Sequence, residues 1–179
     1  IEKVISARDD RYVLRIPNEE VQQEFRDLTA SYLNVSESNL SAMFNGLRYE
    51  ERERFAESYA DMLLSLPSYH DLKDENSYHV LFLGMCAWLS NEYDIISNRE
   101  EGKGRCDIIL KAKKEGLASY VLEFKYLKEA DAERLEESAK EAVLQIKEKR
   151  YDAELPGRAI LIGLAHAGKE VWIEWQERS

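Results

Sequence analysis

Apolar side chains recur at three- and four-residue intervals through the first part of the chain and at two-residue intervals further on. Arg11 to Ile16 alternates weakly and reads as a strand. Pro17 and Asn18 then supply a stop and an N-cap, with Glu19 and Glu20 in the first turn of a helix whose apolar face is Val21, Phe25, Leu28 and Tyr32. A second helix from about Ser38 buries Leu40, Met43, Phe44 and Leu47, with Asn45-Gly46 as its expected end. A third carries Phe55, Tyr59, Met62, Leu63 and Leu66 and stops before Pro67. These segments predict a helical preface over residues 1–70.

From Asp74 the pattern changes. Residues 75–91 predict a helix that is apolar almost all round (Val80, Leu81, Leu83, Met85, Ala87, Trp88), and therefore one covered on several sides. Tyr93 to Ser97, Arg105 to Lys111 and Ser119 to Tyr126 read as three strands of a meander, parted by Gly102 and Gly104 and by the polar stretch Lys113 to Gly116. Asp131 caps a long helix with the stripe Leu135, Ala139, Ala142, Val143 and Ile146, closing near Pro156-Gly157. Ala159 to Leu164 is continuously apolar, as a strand covered on both faces would be. A turn at Ala167-Gly168 leads into an alternating outer strand, Glu170 to Trp175, whose Trp172 and Trp175 point to opposite faces, at least one of them onto the core. The order from residue 75 is α-β-β-β-α-β-β, which makes residues 71–179 one α/β (α+β) domain behind the extension.

Chemistry enters where polar residues interrupt the apolar pattern. In Val121-Leu122-Glu123-Phe124-Lys125-Tyr126 alternation sets Glu123 and Lys125 on one face and Leu122, Phe124 and Tyr126 on the other. Asp107 interrupts the preceding strand and stands across from Glu123 if the two strands pair as a hairpin. Two carboxylates facing one point suit Mg2+, or Mn2+ in its place, which takes oxygen ligands and keeps water and substrate phosphate in its other positions. A lysine beside them supplies a compact positive charge for an activated water or a phosphoryl transition state. An acid and a lysine two apart on a strand are more often a solvated ion pair; Asp107 and the element order shift the balance toward a site.

Charge is an objection that its distribution softens. The net charge is −10 over 179 residues, whereas phosphate affinity comes from Lys and Arg. Residues 99–128, however, carry 8 basic and 5 acidic side chains, so Asp107, Glu123 and Lys125 lie in a net positive segment. The basic group Lys140, Lys147, Lys149 and Arg150 is interleaved with Glu137, Glu141 and Glu148, as on a solvated helix face. Cys86 and Cys106 lie in apolar runs without a C-x-x-C or Cys/His cluster and read as core thiols. The longest apolar run, Val80 to Leu89, is about half the ~20 residues that span a bilayer, so a cytoplasmic protein without a membrane segment is expected. Ile1 in place of Met reads as a fragment of a longer protein.

Six short runs carry a resemblance: Ile16-Pro17-Asn18-Glu19-Glu20-Val21, Pro67-Ser68-Tyr69-His70, Glu75-Asn76-Ser77-Tyr78-His79, Gly102-Lys103-Gly104-Arg105-Cys106-Asp107, Leu122-Glu123-Phe124-Lys125, and Gln145 through Tyr151. In this order they resemble the PD-(D/E)XK nuclease superfamily, and more closely the nuclease-like domain at the C-terminal end of bacterial AAA-ATPase-like proteins. The resemblance implies a restriction-endonuclease-like core with a mixed central sheet flanked by helices, and a metal-dependent nuclease acting on DNA or RNA. It implies that Asp107 and Glu123 bind metal, that Lys125 is the catalytic lysine, that Glu75 is the acid of the first core helix, with Glu100 as the alternative, and that Gln145 is the polar residue of the second. Arg105 and Tyr151 are implied to bind phosphate or brace the site. His79, one turn after Glu75, is a candidate substrate contact, although a histidine beside an apolar face is more often a core-edge residue. No Walker motif occurs, so an ATPase-like partner region would lie elsewhere on the polypeptide. A catalytically silent nucleic-acid-binding or regulatory module attached to an ATPase is the second reading, and a protein-interaction domain docking through residues 1–70 the third.

Overall fold

A computed structural model describes residues 2–6, 9–13, 36–66, 72–101, 104–153 and 155–178, and for 2–13, 98–101, 104 and 105 the backbone alone. The expected helix after Pro17, the Gly102 turn and the runs containing Pro17 and His70 fall outside these residues. Near the N-terminus an antiparallel pair, β1 (Glu2–Ser6) and β2 (Asp9–Val13), forms a small sheet of its own; only the second strand was anticipated.

Two helices follow. Helix α1 (Glu37–Arg48) starts at Ser36, whose hydroxyl accepts from the Asn39 amide, and it buries Leu40, Met43, Phe44 and Leu47 as expected. It does not end at Asn45-Gly46. Gly46 is a buried helical residue, and a Cβ there would lie 2.7 Å from the Phe55 backbone nitrogen, so the glycine serves the close approach of α2 (Arg52–Ser65). The reversal comes instead at Glu50, with φ 58°, and the Glu51 amide donates back to the Gly46 carbonyl.

Helix α3 (Glu75–Met85) is capped by Asp74, which accepts from the Ser77 amide, and tightens into a 3-10 turn at Cys86–Leu89. The helix is not covered all round: Val80 is 55% exposed, because the sheet and α2 cover one side only and hydrophobicity alone did not reveal which. Strands β3 (Tyr93–Glu101), β4 (Gly104–Ala112) and β5 (Ser119–Tyr126) make the expected antiparallel meander. Helix α4 (Ala132–Lys149), capped by Asp131, crosses over to β6 (Ala159–Ala167), which lies parallel to β5, and a turn at Gly168-Lys169, one residue later than predicted, returns the chain as β7 (Glu170–Glu177). Helix α4 ends well before Pro156. Arg150 takes a left-handed conformation, φ 58°, and the Tyr151 amide donates to the Ile146 carbonyl, a helix stop made without glycine.

The five strands form one mixed sheet in the order β3-β4-β5-β6-β7. Helices α1, α2 and α3 cover one face, packing Phe55, Tyr59 and Phe82 on Leu122, Phe124 and Leu164. Helix α4 covers the other with the predicted stripe, Val143 and Ile146 meeting Val121 and Leu161. Gly163 lets α4 descend onto β6, since a Cβ there would overlap the Ala139 carbonyl. Both tryptophans pack, Trp175 between Phe55 and Tyr120 and Trp172 on the α4 face with Leu135 and Ala139. Among the described residues no helix is long and apolar enough to cross a membrane, and Cys86 and Cys106 are buried thiols that form no disulfide.

Candidate active site

The ladder between β4 and β5 pairs Ile108 with Leu122, so the next step would set Asp107 against Glu123. The strands part there. Asp107 turns its carboxylate to the neighbouring strand, and Oδ2 accepts from the Phe124 amide at 2.9 Å. That bond satisfies a backbone donor at the end of the pairing and fixes one carboxylate oxygen beside Glu123.

Alternation along β5 works as predicted. Leu122 and Phe124 enter the core against α2 and α3, and Glu123 faces α4. There Gln145 Nε2 donates to Glu123 Oε1, and the same oxygen accepts from Lys125 Nζ at 3.3 Å. The Glu123 side chain is only 4% exposed, and its second oxygen, Oε2, is buried with no hydrogen-bond partner among the described residues. Burial raises its pKa to about 7, helped by the negative charges of Asp107 and Glu75 and opposed by Lys125.

Lys125 also reaches Glu75 Oε1, 3.9 Å away at the first residue of α3. Partial burial raises the Glu75 pKa, Lys125 opposing and Asp107 adding to the rise. Tyr151 is buried and joins the group through a side-chain hydrogen bond with Gln145; burial raises its pKa and that bond offsets part of the rise. The structure thus gathers Asp107, Glu123, Lys125, Glu75, Gln145 and Tyr151. It does not bring in His79, which is buried on the opposite face of β5, Nε2 2.9 Å from Ser97 Oγ and its ring edge-on to Phe124. The side chains of Arg105 and Glu100 lie outside those described.

Two participants were not foreseen. The Phe124 amide carries no side-chain signal and is found only from the strand register. His166, near the end of β6, is fully buried with Nδ1 3.3 Å from the Lys125 carbonyl oxygen. Its signal was a lone polar residue closing the otherwise apolar run Ala159 to Ala167.

Among the described residues no group of three or more His, Cys, Asp or Glu side chains gathers as a metal-binding cluster. The acids that do converge are the pair Asp107 and Glu123, with Glu75 across Lys125. This is a mixed α/β fold whose sheet offers two acids and a lysine where β4 and β5 diverge. The chain belongs to the PD-(D/E)XK nuclease superfamily, whose family model matches residues 73–176. A comparison with curated proteins finds no match.

Proposed function

We propose that this chain is a nuclease that hydrolyses phosphodiester bonds of DNA or RNA with a divalent cation, Mg2+ or Mn2+. One observation carries the reading: Glu123 keeps a buried carboxylate oxygen without a partner while its other oxygen is held by both Gln145 and Lys125, with Asp107 alongside. A buried anionic oxygen left unmatched is costly, and a cation there would remove the cost. The donor set fits a hard cation, because it consists of oxygens and leaves most positions to water and phosphate. Asp107 and Glu123 would hold the ion.

Such an ion, when bound, polarises a phosphoryl oxygen and lowers the pKa of a bound water. The protein's own residues do the rest. Gln145 and the Phe124 amide each occupy one oxygen of the acid pair and so fix how the carboxylates are presented. Lys125, its side chain 22% exposed and its Nζ between Glu123 and Glu75, is placed to orient an attacking water or to balance charge on the phosphoryl group. Tyr151 braces Gln145 from behind.

Calorimetric titration of Mn2+ into the wild type and an Asp107→Ala variant tests the acid pair before any substrate is chosen. Cleavage of labelled single- and double-stranded DNA and RNA in Mn2+, wild type against Lys125→Ala, tests the reaction. Heat of binding in the wild type only, with cleavage lost in both variants, is expected. Absent Mn2+ binding, or cleavage equal to that of Lys125→Ala, would remove the proposal. The net charge of −10 favours a second reading, a catalytically silent nucleic-acid-binding or regulatory module serving an AAA-ATPase-like region of the same polypeptide. Tight oligonucleotide binding without metal-dependent cleavage would support it.

A further inference from the structure

Lys125 and Glu75 belong to elements that share no backbone hydrogen bonds, a strand and the helix packed across it, yet their charges meet at 3.9 Å. His166 touches both elements. Its Nδ1 lies 3.3 Å from the Lys125 carbonyl oxygen, its ring stacks on Tyr78 of α3 with centroids 4.0 Å apart, and it stacks again on Phe124 of β5 at 5.9 Å. A third element closes the set: Tyr59 of α2 lies with its hydroxyl 3.0 Å from His166 Nε2.

The protonation of this group follows from its partners. Burial holds the imidazole neutral, lowering its pKa to about 3. A carbonyl oxygen only accepts, so Nδ1 carries the hydrogen and donates to Lys125. Nε2 is then the acceptor, and Tyr59 donates to it, burial having raised the pKa of that hydroxyl so that it keeps its proton. Tyr78 is itself tied down at its far end, its hydroxyl donating to the Gly168 carbonyl at 2.7 Å, and it stacks on Tyr126 next to Lys125. Both nitrogens of His166 are thereby committed.

We propose that His166, oriented by Tyr59, is a positioning residue that sets Lys125 against Glu75 by holding the carbonyl of β5 and the aromatic face of α3 in one place. It rests on the nuclease reading for what Lys125 does, though not for where Lys125 stands. A leucine or phenylalanine would fill the same volume without the imidazole hydrogen bond to the Lys125 carbonyl. Helix α2, which contributes no side chain to the acid cluster, acts on the site through this one hydroxyl.

The test uses the full chain and three variants, Tyr59→Phe, His166→Phe and His166→Asn. Tyr59→Phe deletes one oxygen and His166→Phe keeps the stacking ring; His166→Asn keeps an amide donor at the Nδ1 position. NMR of 13C-labelled lysine side chains, with the Lys125 signal assigned by its loss in Lys125→Arg, reports the lysine's surroundings without any substrate. His166→Phe is expected to move the Lys125 signal and to lower kcat about tenfold, with KM and Mn2+ affinity within about twofold. Tyr59→Phe should do the same more weakly, and His166→Asn should recover most of the loss. A lowered melting temperature with an unmoved Lys125 signal and unchanged kcat per folded molecule would overturn the assignment and leave His166 as packing. Should the wild type cleave nothing, the nuclease reading falls while the Lys125 signal still decides the positioning role; should His166→Phe fail to fold, Tyr59→Phe decides it.

Discussion

At the scale of single residues, two buried groups pull the stability of the protein in opposite directions with pH. His166 has its pKa lowered to about 3, so the unfolded chain takes up a proton that the folded one refuses once the pH drops below the unperturbed value. Stability from this group is full above about pH 6.5 and is lost as pH falls toward 3. Glu123 is the reverse case. Its pKa is raised to about 7, the folded state holds the extra proton, and stability from it is lost as pH rises from about 4.5 to 7. Over the overlap, about pH 4.5 to 6.5, the two slopes cancel. Glu123→Gln should therefore expose the histidine slope, about 1.4 kcal/mol lost per pH unit on acidification, while the wild type stays flatter. Urea unfolding at three pH values across that window measures it, and parallel curves for the two proteins would contradict the Glu123 assignment. In the proposed metal site the same acid must lose its proton, so Mn2+ affinity should strengthen as pH rises through about 7. Titration at pH 6 and pH 8 gives the sign.

Elements place these residues through contacts that tolerate little change. Gly163 is where α4 rests on β6, and its missing Cβ would overlap the Ala139 carbonyl and come within 2.9 Å of Ala142 Cβ. Gly163→Ala should lift the helix and cost on the order of 2 kcal/mol, read as a shift of the urea midpoint. Because α4 also carries Gln145, the hydrogen bond to Glu123 Oε1 should loosen with it. Mn2+ affinity should then fall further than in a surface control such as Leu144→Ala, whose side chain is 55% exposed on the same helix. Element identities were readable because each had its own signal: the Asp131 cap, the stripe from Leu135 to Ile146, and the alternation around Glu123. The helix ends were not. Arg150 and Glu50 adopt left-handed conformations that sequence rules reserve for glycine, and Gly46, expected to mark an end, lies where two helices press together.

The whole molecule is acidic, and that governs any encounter with nucleic acid. At −10 overall, with 8 basic against 5 acidic side chains in residues 99–128, a strand would be held by few phosphate contacts. Oligonucleotide affinity should be modest and fall with salt on a shallow slope, roughly two to four counterions, measured as log affinity against log salt concentration. A slope near ten would contradict this expectation. The five-stranded sheet with helices on both faces also explains how distant segments come to share one site: α3, β4, β5 and α4 each contribute one or two residues, and α2 joins through Tyr59.

Local pattern by itself determined the faces: which side of β5 carries Glu123 and Lys125, which side of α4 is apolar, and that Asp107 breaks an apolar strand. Those properties depend on two- and 3.6-residue periods and need no knowledge of partners. Tertiary structure alone decided what each polar residue meets. It parted β4 from β5 so that Asp107 binds the Phe124 amide, turned His79 into the core rather than toward Glu75's partners, and buried one oxygen of Glu123 without a donor. It brought His166 to the Lys125 carbonyl from 41 positions away in the chain. The physical reason is that the period of a strand or helix fixes direction within an element, whereas a pKa, a tautomer or an unmatched oxygen is set by neighbours that only the packing of one element on another supplies.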